Sequence, residues 1–214
     1  MKLVDISKGY QNLLYENLSY SFEENKVYSI FASNGAGKTT LLKIMSNQIE
    51  PDSGHIENKK DIMFISDVFM PFEHLTGKEY IKYTMRLKEI ECSDDHILEL
   101  AKTMNLEDYV DICIGKYSKG MKYKLLMVIL FISKPDIVLL DEPFIDLDMA
   151  TKRTIADILK NYKTNKIIVF TTHLLEIAIE FSDRILYLNR SSFDEIDNND
   201  EQKVSEFVNY HMNK

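Results

Sequence analysis

Residues 26–49, KVYSIFASNGAGKTTLLKIMSNQI, constrain the fold more than any other stretch of this chain. An apolar run at 27–31 leads into small residues from Ala32 to Gly37, and these into Lys38, Thr39 and Thr40. Apolar residues then recur at Leu41, Leu42, Ile44, Met45 and Ile49. That order predicts a buried strand, a tight loop and a helix. It fits the pattern G-x-x-x-x-G-K-S/T, which carries meaning only in strand–loop–helix context. The backbone N–H groups of such a loop, and the N-terminus of the helix behind it, present partial positive charge to phosphates. Gly35 and Gly37 let the backbone turn and approach closely. Lys38 can then reach the β/γ-phosphates, and the Thr39 hydroxyl can ligate Mg2+. The first glycine of the pattern is Ala32 here, which suits the turn if φ is negative at that position.

Composition narrows the rest. The chain has 214 residues, of which 45% are hydrophobic, enough for one domain or one domain with an inserted lobe. Lys and Arg total 26 against 34 Asp and Glu, a formal net charge of -8. That argues against a general nucleic-acid or anionic-membrane binder. Cys92 and Cys113 are the only cysteines; far apart and without metal-ligand spacing, they suit a reducing compartment. The opening MKLVDISKGY lacks the apolar core of a signal peptide. The longest unbroken apolar run, 125–132, is far shorter than the roughly 20 residues a membrane-spanning helix needs. The chain is not expected to cross a bilayer by itself.

Along the chain, 3–6 and 13–22 read as partly alternating strands, and Glu23, Glu24 and Asn25 as a turn into the phosphate-loop strand. Tyr10, just after Gly9, reads by pattern alone as a packed aromatic. Residues 50–54, EPDSG, are a turn signal, and 61–65 is a further strand ending at Ser66 and Asp67. Residues 76–92 carry helical spacing, with Thr76 and Glu79 placed for a capping box. Residues 94–104 and 106–110 read as further helices. The span 72–134 is therefore mainly helical, inserted into a chain that otherwise alternates strands and helices. Residues 137–140, IVLL, form a continuous apolar strand of the kind found in covered parallel sheets, running into Asp141, Glu142 and Pro143. A helix at 149–162, an apolar strand at 166–170 ending in Thr171, Thr172 and His173, a helix at 174–181 and a strand at 184–188 follow. The alternation predicts a parallel, doubly wound α/β sheet, in which ligands bind at the carboxyl ends of the strands. The phosphate loop, Asp141 with Glu142, and His173 all fall there. Residues 193–201 are acidic and read as a solvated tail, with a short helix at 204–211.

The strand 137–141 fits a Walker B element: a carboxylate at the strand end can hold Mg2+ through its water shell, and Glu142 can polarise an attacking water as a general base. Between the two nucleotide motifs lies Tyr117-Ser118-Lys119-Gly120-Met121, a polar turn before a buried helix with Ser118 as N-cap. In this order and spacing, from residue 3 to 188, the chain resembles an ABC-type P-loop ATPase, the nucleotide-binding subunit of a bacterial exporter-like ABC transporter. The matching parts are an aromatic near the N-terminus (Tyr10), Walker A (32–40), a Q-loop region (65–67), a signature (117–121), Walker B (137–142), a D-loop (145–148) and a switch histidine (His173).

The resemblance implies a single ABC ATPase domain over 1–214. A P-loop NTPase parallel-sheet core with an N-terminal antiparallel β subdomain would span 1–71 and 135–192, a helical subdomain 72–134 and a tail 193–214. It implies that Tyr10 stacks on adenine, overriding the packed-aromatic reading. Ser33, Asn34, Gly35, Ala36, Gly37, Lys38, Thr39 and Thr40 would cradle ATP. Thr39, Asp67 and Asp141 would serve Mg2+, Glu142 would be the base, and His173 would contact the γ-phosphate. Ser118, Lys119, Gly120 and Met121 would meet the ATP held by a second subunit, in a homodimer or heterodimer. The implied function is ATP hydrolysis that drives a separate membrane permease, as an exporter of drug, peptide or antibiotic-type cargo. The protein would be cytoplasmic, peripheral on the inner face of the cell membrane, and would bind no nucleic acid. The permease would dock on the lobe at 68–83. A soluble ABC-type ATPase or an ATP sensor uncoupled from transport is the alternative. Several positions depart from the family's pattern: Ala32; Lys119 and Met121 in the signature; Asp67 at the Q-loop glutamine; and Asp146, where the D-loop has a small residue.

Overall fold

The computed structural model describes residues 1–66, 72–198 and 201–212. Its chain divides into two compact units, Met1–Ser66 with Asp136–Phe144 and Ala156–Lys214, and Asp67–Pro135 with Ile145–Ile155.

The first unit holds two sheets. The strands β1 (Lys2–Gly9), β2 (Leu13–Ser21) and β4 (Ser53–Glu57) form an antiparallel sheet in the order β2-β1-β4. The other sheet has six strands. It contains β3 (Lys26–Phe31), β5 (Ile62–Ile65), β6 (Ile137–Leu140), β7 (Ile167–Thr172), β8 (Arg184–Leu188) and β9 (Phe193–Asp197), in the order β5-β6-β7-β3-β8-β9. Every pairing in it is parallel except β8 with β9. Strands β6 and β7 are buried along their whole length, as strands covered on both faces must be. Their side chains alternate. Ile137, Leu139, Ile167 and Val169 join Leu186 and the residues Leu41, Leu42, Ile44 and Met45 of α1 (Lys38–Met45) in one core, which also takes Leu3, Ile6 and Leu18 from the antiparallel sheet. On the opposite face Ile185 packs with Leu175 and Ala178 of α6 (Leu175–Phe181).

The second unit is helical. In it α2 (Gly77–Leu87) and α3 (Asp94–Thr103) contact α4 (Lys119–Ser133), and α5 (Met149–Tyr162) begins. Thr76 and Glu79 form a complete capping box at the start of α2. The segment Ile145–Ile155, which the sequence reading keeps with the sheet, groups with these helices.

Three expectations change. The helix expected at 106–110 is a 3-10 turn, Glu107–Tyr109, because so few residues cannot offset helix nucleation. The turn signal at 50–54 ends in a strand, β4, where Gly54 sits at φ 82 against the backbone of Val4 and Asp5. The region from 193 onward is no solvated tail. It pairs with β8, and α7 (Glu201–Met212) brings Phe207 against Phe31 and Tyr187. Phe193 packs on one core and Ile196 is buried in the other. Those two apolar anchors outweigh the acidic side chains between them.

Candidate nucleotide site

Parallel register brings three strand ends together. Phe31 of β3 lies opposite Thr172 of β7, and Leu140 of β6 opposite Phe170. The chain leaves β3 at Ala32, β6 at Asp141 and β7 at His173, so the loops that follow share one edge of the sheet in the first unit.

Ala32 is buried and does not have positive φ, so its Cβ costs the loop nothing. Gly35 and Gly37 do have positive φ, 80° and 95°. Gly37 is the N-cap of α1; a Cβ there would overlap Tyr15 Oη and press on Leu14. Tyr15 donates its hydroxyl to the Gly37 carbonyl. Burial holds its phenol well above the ordinary tyrosine range, so it remains a donor. Ser33, Asn34 and Gly35 are exposed at the loop's crest, with Ala36 and Thr40 half-buried.

Lys38 is only 7% exposed. Its ammonium donates to the carbonyls of Ala32 at 3.0 Å and Ser33 at 3.2 Å and lies 3.3 Å from Glu142 Oε1. His173 Nδ1 approaches the same Glu142 oxygen at 3.2 Å. Thr39 Oγ1 donates to Asp141 Oδ2 at 2.7 Å, and Thr171 Oγ1 donates to Asp141 Oδ1 at 2.7 Å. Lys38, Thr39, Asp141, Glu142 and His173 therefore meet in one cluster.

A hydroxyl and a carboxylate oxygen converging from Thr39 and Asp141 are hard donors of the kind Mg2+ takes. Among the described residues no group of three or more His, Cys, Asp or Glu side chains is placed to hold a metal ion. The donors thus suit an ion that keeps most of its ligands as water and phosphate oxygen. Asp67, the other expected metal contact, lies outside the described residues.

Tyr10 is 66% exposed, in the turn after β1, with Lys8 Nζ 5.6 Å from its ring centre. It is no packed core aromatic. The residues after it, 11–14, line a cavity of about 700 Å3 together with Gly35 and Ala36 of the phosphate loop and residues 188–190.

The signature residues lie in the second unit. Ser118 caps α4 by accepting from the Met121 N–H at 3.2 Å. Lys119 Nζ pairs with Asp146 at 3.2 Å. Gly120 approaches Thr151, whose hydroxyl and N–H both bond to the Asp148 carboxylate, at 2.7 and 2.9 Å. Ser118, Lys119, Gly120 and Met121 line a cavity of about 350 Å3 with Asp146, Asp148 and Thr151.

Tyr15 and Thr171 escape the motif reading. Each sits inside a strand as an ordinary β former, and its polar role becomes visible only when register places it beside a loop. The one available signal is Thr171 itself, a polar residue at the end of an apolar strand.

Comparison with known proteins agrees with this geometry. The ABC transporter family matches over residues 15–145. The uncharacterized ABC transporter ATP-binding protein YybJ of Bacillus subtilis (strain 168) is 34% identical over 186 residues, covering 81% of this chain and 85% of its own. ABC transporter A family member 5 of Arabidopsis thaliana is 32% identical over 191 residues, with 82% of this chain matched to only 20% of that longer protein. Among solved structures, an ATP-binding subunit of an ABC transporter superposes with a TM-score of 0.83 at 21% identity over 100% of this chain and 99% of its own. A dimeric ATP-binding cassette in a post-hydrolysis state with ADP and Pi does so with a TM-score of 0.74 at 24% identity, covering 92% and 98%. Among the described residues no helix is long and apolar enough to cross a membrane. The chain belongs to the ABC transporter family, as one of its ATP-binding ATPase subunits.

Proposed function

We propose that the chain hydrolyses Mg2+-ATP as one half of a dimer and thereby drives a separate membrane permease, in an exporter of drug, peptide or antibiotic-type cargo. The observation that carries the reading is the cluster of Lys38, Thr39, Asp141, Glu142 and His173 at adjoining strand ends. Lys38 and the N–H groups of residues 33–40 hold the phosphates at the start of α1. Thr39 and Asp141 would hold Mg2+; Asp67, also expected to serve it, lies outside the described residues. When bound, Mg2+ neutralises charge on the β- and γ-phosphates. Glu142 orients and deprotonates the attacking water, and His173 holds Glu142 in place while facing the γ-phosphate. Tyr10, exposed beside the loop cavity, stacks on adenine.

Ser118 and Gly120, at the N-terminus of α4, bind the γ-phosphate of a second subunit's ATP, flanked by Lys119 and Met121. A dimer is then required for turnover. The export direction rests on the Tyr117–Met121 signature, whose form resembles that of bacterial exporters. Exposed Tyr83 on α2, at the end of the expected docking stretch 68–83, supplies apolar surface for a permease's cytoplasmic helices; residues 68–71 of that stretch lie outside the described residues, and docking there would set the protein on the inner face of the membrane.

The test is ATP turnover at several protein concentrations, beside Glu142→Gln. The reading expects turnover that rises more steeply than concentration. It also expects the substitution to lower turnover at least about 100-fold while ATP now traps a dimer. Bound ATP with negligible turnover in both proteins, at every concentration, would turn the assignment toward a nucleotide sensor. ATP-driven uptake of cargo into inverted vesicles carrying the permease checks the direction.

A further inference from the structure

We propose that Thr171 is the positioning residue that fixes Asp141 and Glu142 relative to each other, and so sets the metal requirement of the site. The proposal rests on the ATPase reading above. Strand β6 ends at Leu140, opposite Phe170, whereas β7 continues through Thr172. The next rung would pair Asp141 with Thr171. There the chain leaves the ladder, and a side chain takes over the bonding.

Thr171 is fully buried. Its hydroxyl proton goes to Asp141 Oδ1 at 2.7 Å, and one of its lone pairs takes the Glu142 N–H at 2.9 Å. One oxygen thus grips the side chain of one acidic residue and the backbone of the next. Asp141 is then held at both carboxylate oxygens, because Thr39 donates to Oδ2 at 2.7 Å. The plane of the carboxylate is set before any ligand arrives.

Glu142 needs the second grip. It has φ 48 although it is neither glycine nor free of a following proline, Pro143. Such a backbone is uncommon and persists only where the surroundings over-determine it. On one side its N–H is taken by Thr171. On the other, Phe144 is anchored between Phe170 at 5.2 Å and Phe181 at 4.9 Å. That backbone aims Glu142 at Lys38 and His173.

Thr171 touches neither Lys38 nor the phosphate loop through any of these bonds, so its loss is expected to alter metal use and turnover, not nucleotide grip. Valine keeps the shape and removes the hydroxyl; serine keeps the hydroxyl. The experiment compares wild type, Thr171→Val and Thr171→Ser, with thermal melts to verify folding. Binding of a fluorescent ATP analogue is measured without and with Mg2+, and turnover is titrated with Mg2+. Thr171→Val should leave metal-free analogue binding unchanged. It should raise the half-saturating Mg2+ about tenfold and lower kcat about 10- to 100-fold, as for other residues that orient metal ligands. KM for ATP at saturating Mg2+ should stay within about twofold. Thr171→Ser should recover most of both effects.

A Thr171→Val protein with wild-type Mg2+ dependence and kcat overturns the proposal. So does Thr171→Ser as impaired as Thr171→Val, which would assign the effect to the lost methyl. If Thr171→Val does not fold, Thr171→Ala takes its place under the same criteria. Should wild type bind the analogue yet never turn it over, the ATPase reading fails, while the Mg2+ dependence of analogue binding still decides for or against Thr171.

Discussion

Lys38 and Lys119 each open a helix, one in each compact unit, and they are held by different means. Lys38 is 7% exposed and meets two loop carbonyls and Glu142 within 3.3 Å. The Lys119 side chain is 33% exposed and pairs with an Asp146 side chain that is 75% exposed. The first lysine sits in a frame made by adjoining strand ends, a buried tyrosine and a buried threonine. The second rests on a cap and a solvent-screened ion pair. Burial and parallel register preorganise the strand-end cluster, where, in the proposed reading, charge placement decides rate. Residues 118–121 are held by local, exchangeable contacts, which would suit the proposed role of engaging another subunit's ligand and releasing it.

The comparison breaks first at the lysines themselves. Lys38→Ala should lower kcat/KM by at least about 100-fold, since a preorganised charge is removed from a water-poor site. Lys119→Ala should lower it less than about tenfold. Equal losses in steady-state assays would erase the distinction. Next come two glycines. Gly37→Ala forces positive φ on alanine and drives a methyl into Tyr15, at a cost of about 2–3 kcal/mol, read as a melting point lower by several degrees. At Gly120, where φ is not positive and the nearest atom to a new Cβ is Thr151 Cγ2 at 3.3 Å, alanine should cost under about 1 kcal/mol.

Ser118→Ala removes the cap of α4 and should cost about 1 kcal/mol of stability; it should also flatten the dependence of turnover on protein concentration. A double-mutant cycle on Lys119 and Asp146 should return at most about 0.5 kcal/mol, and less at high salt. Finally, bonds from the Thr151 hydroxyl and then its N–H hold the Asp148 carboxyl below the usual range. A group with a folded pKa below its unfolded one stabilises the fold above the unfolded value and loses that contribution as pH falls through the folded value. Asp148→Asn should therefore lower stability near neutrality and shallow the acid side of the profile, the difference from wild type disappearing as pH falls through the folded value.

Much of this was legible in the sequence because each motif depends on local order: the small-residue loop before Lys38, the apolar strand before Asp141, the polar cluster ending at His173. Strand and helix types follow from periodicity, and the capping box at Thr76 follows from residue spacing alone. Tyr15 and Thr171 were not legible. Their hydroxyls act across a strand pairing, and single-chain periodicity records only that both side chains are buried. The region from Phe193 onward misled for a related reason. Its acidic residues dominate the composition, while Phe193, Ile196 and Phe207 reveal their burial only once β8 provides a partner.

That last strand has a consequence for the chain's handling during synthesis. Strand β9 closes one side of a parallel ladder by running the opposite way, and it carries Asp194, Glu195 and Asp197. Until residue 197 has emerged from the ribosome, the apolar β8 presents bare amide and carbonyl groups to any neighbouring nascent chain. Once in place, the acidic strand satisfies β8 and is tied to it by side chains as well: Glu195 and Asp197 pair with Arg184, and Asp194 accepts from Asn189. The same carboxylates that made the region look like an idle tail fasten the closing strand to its neighbour.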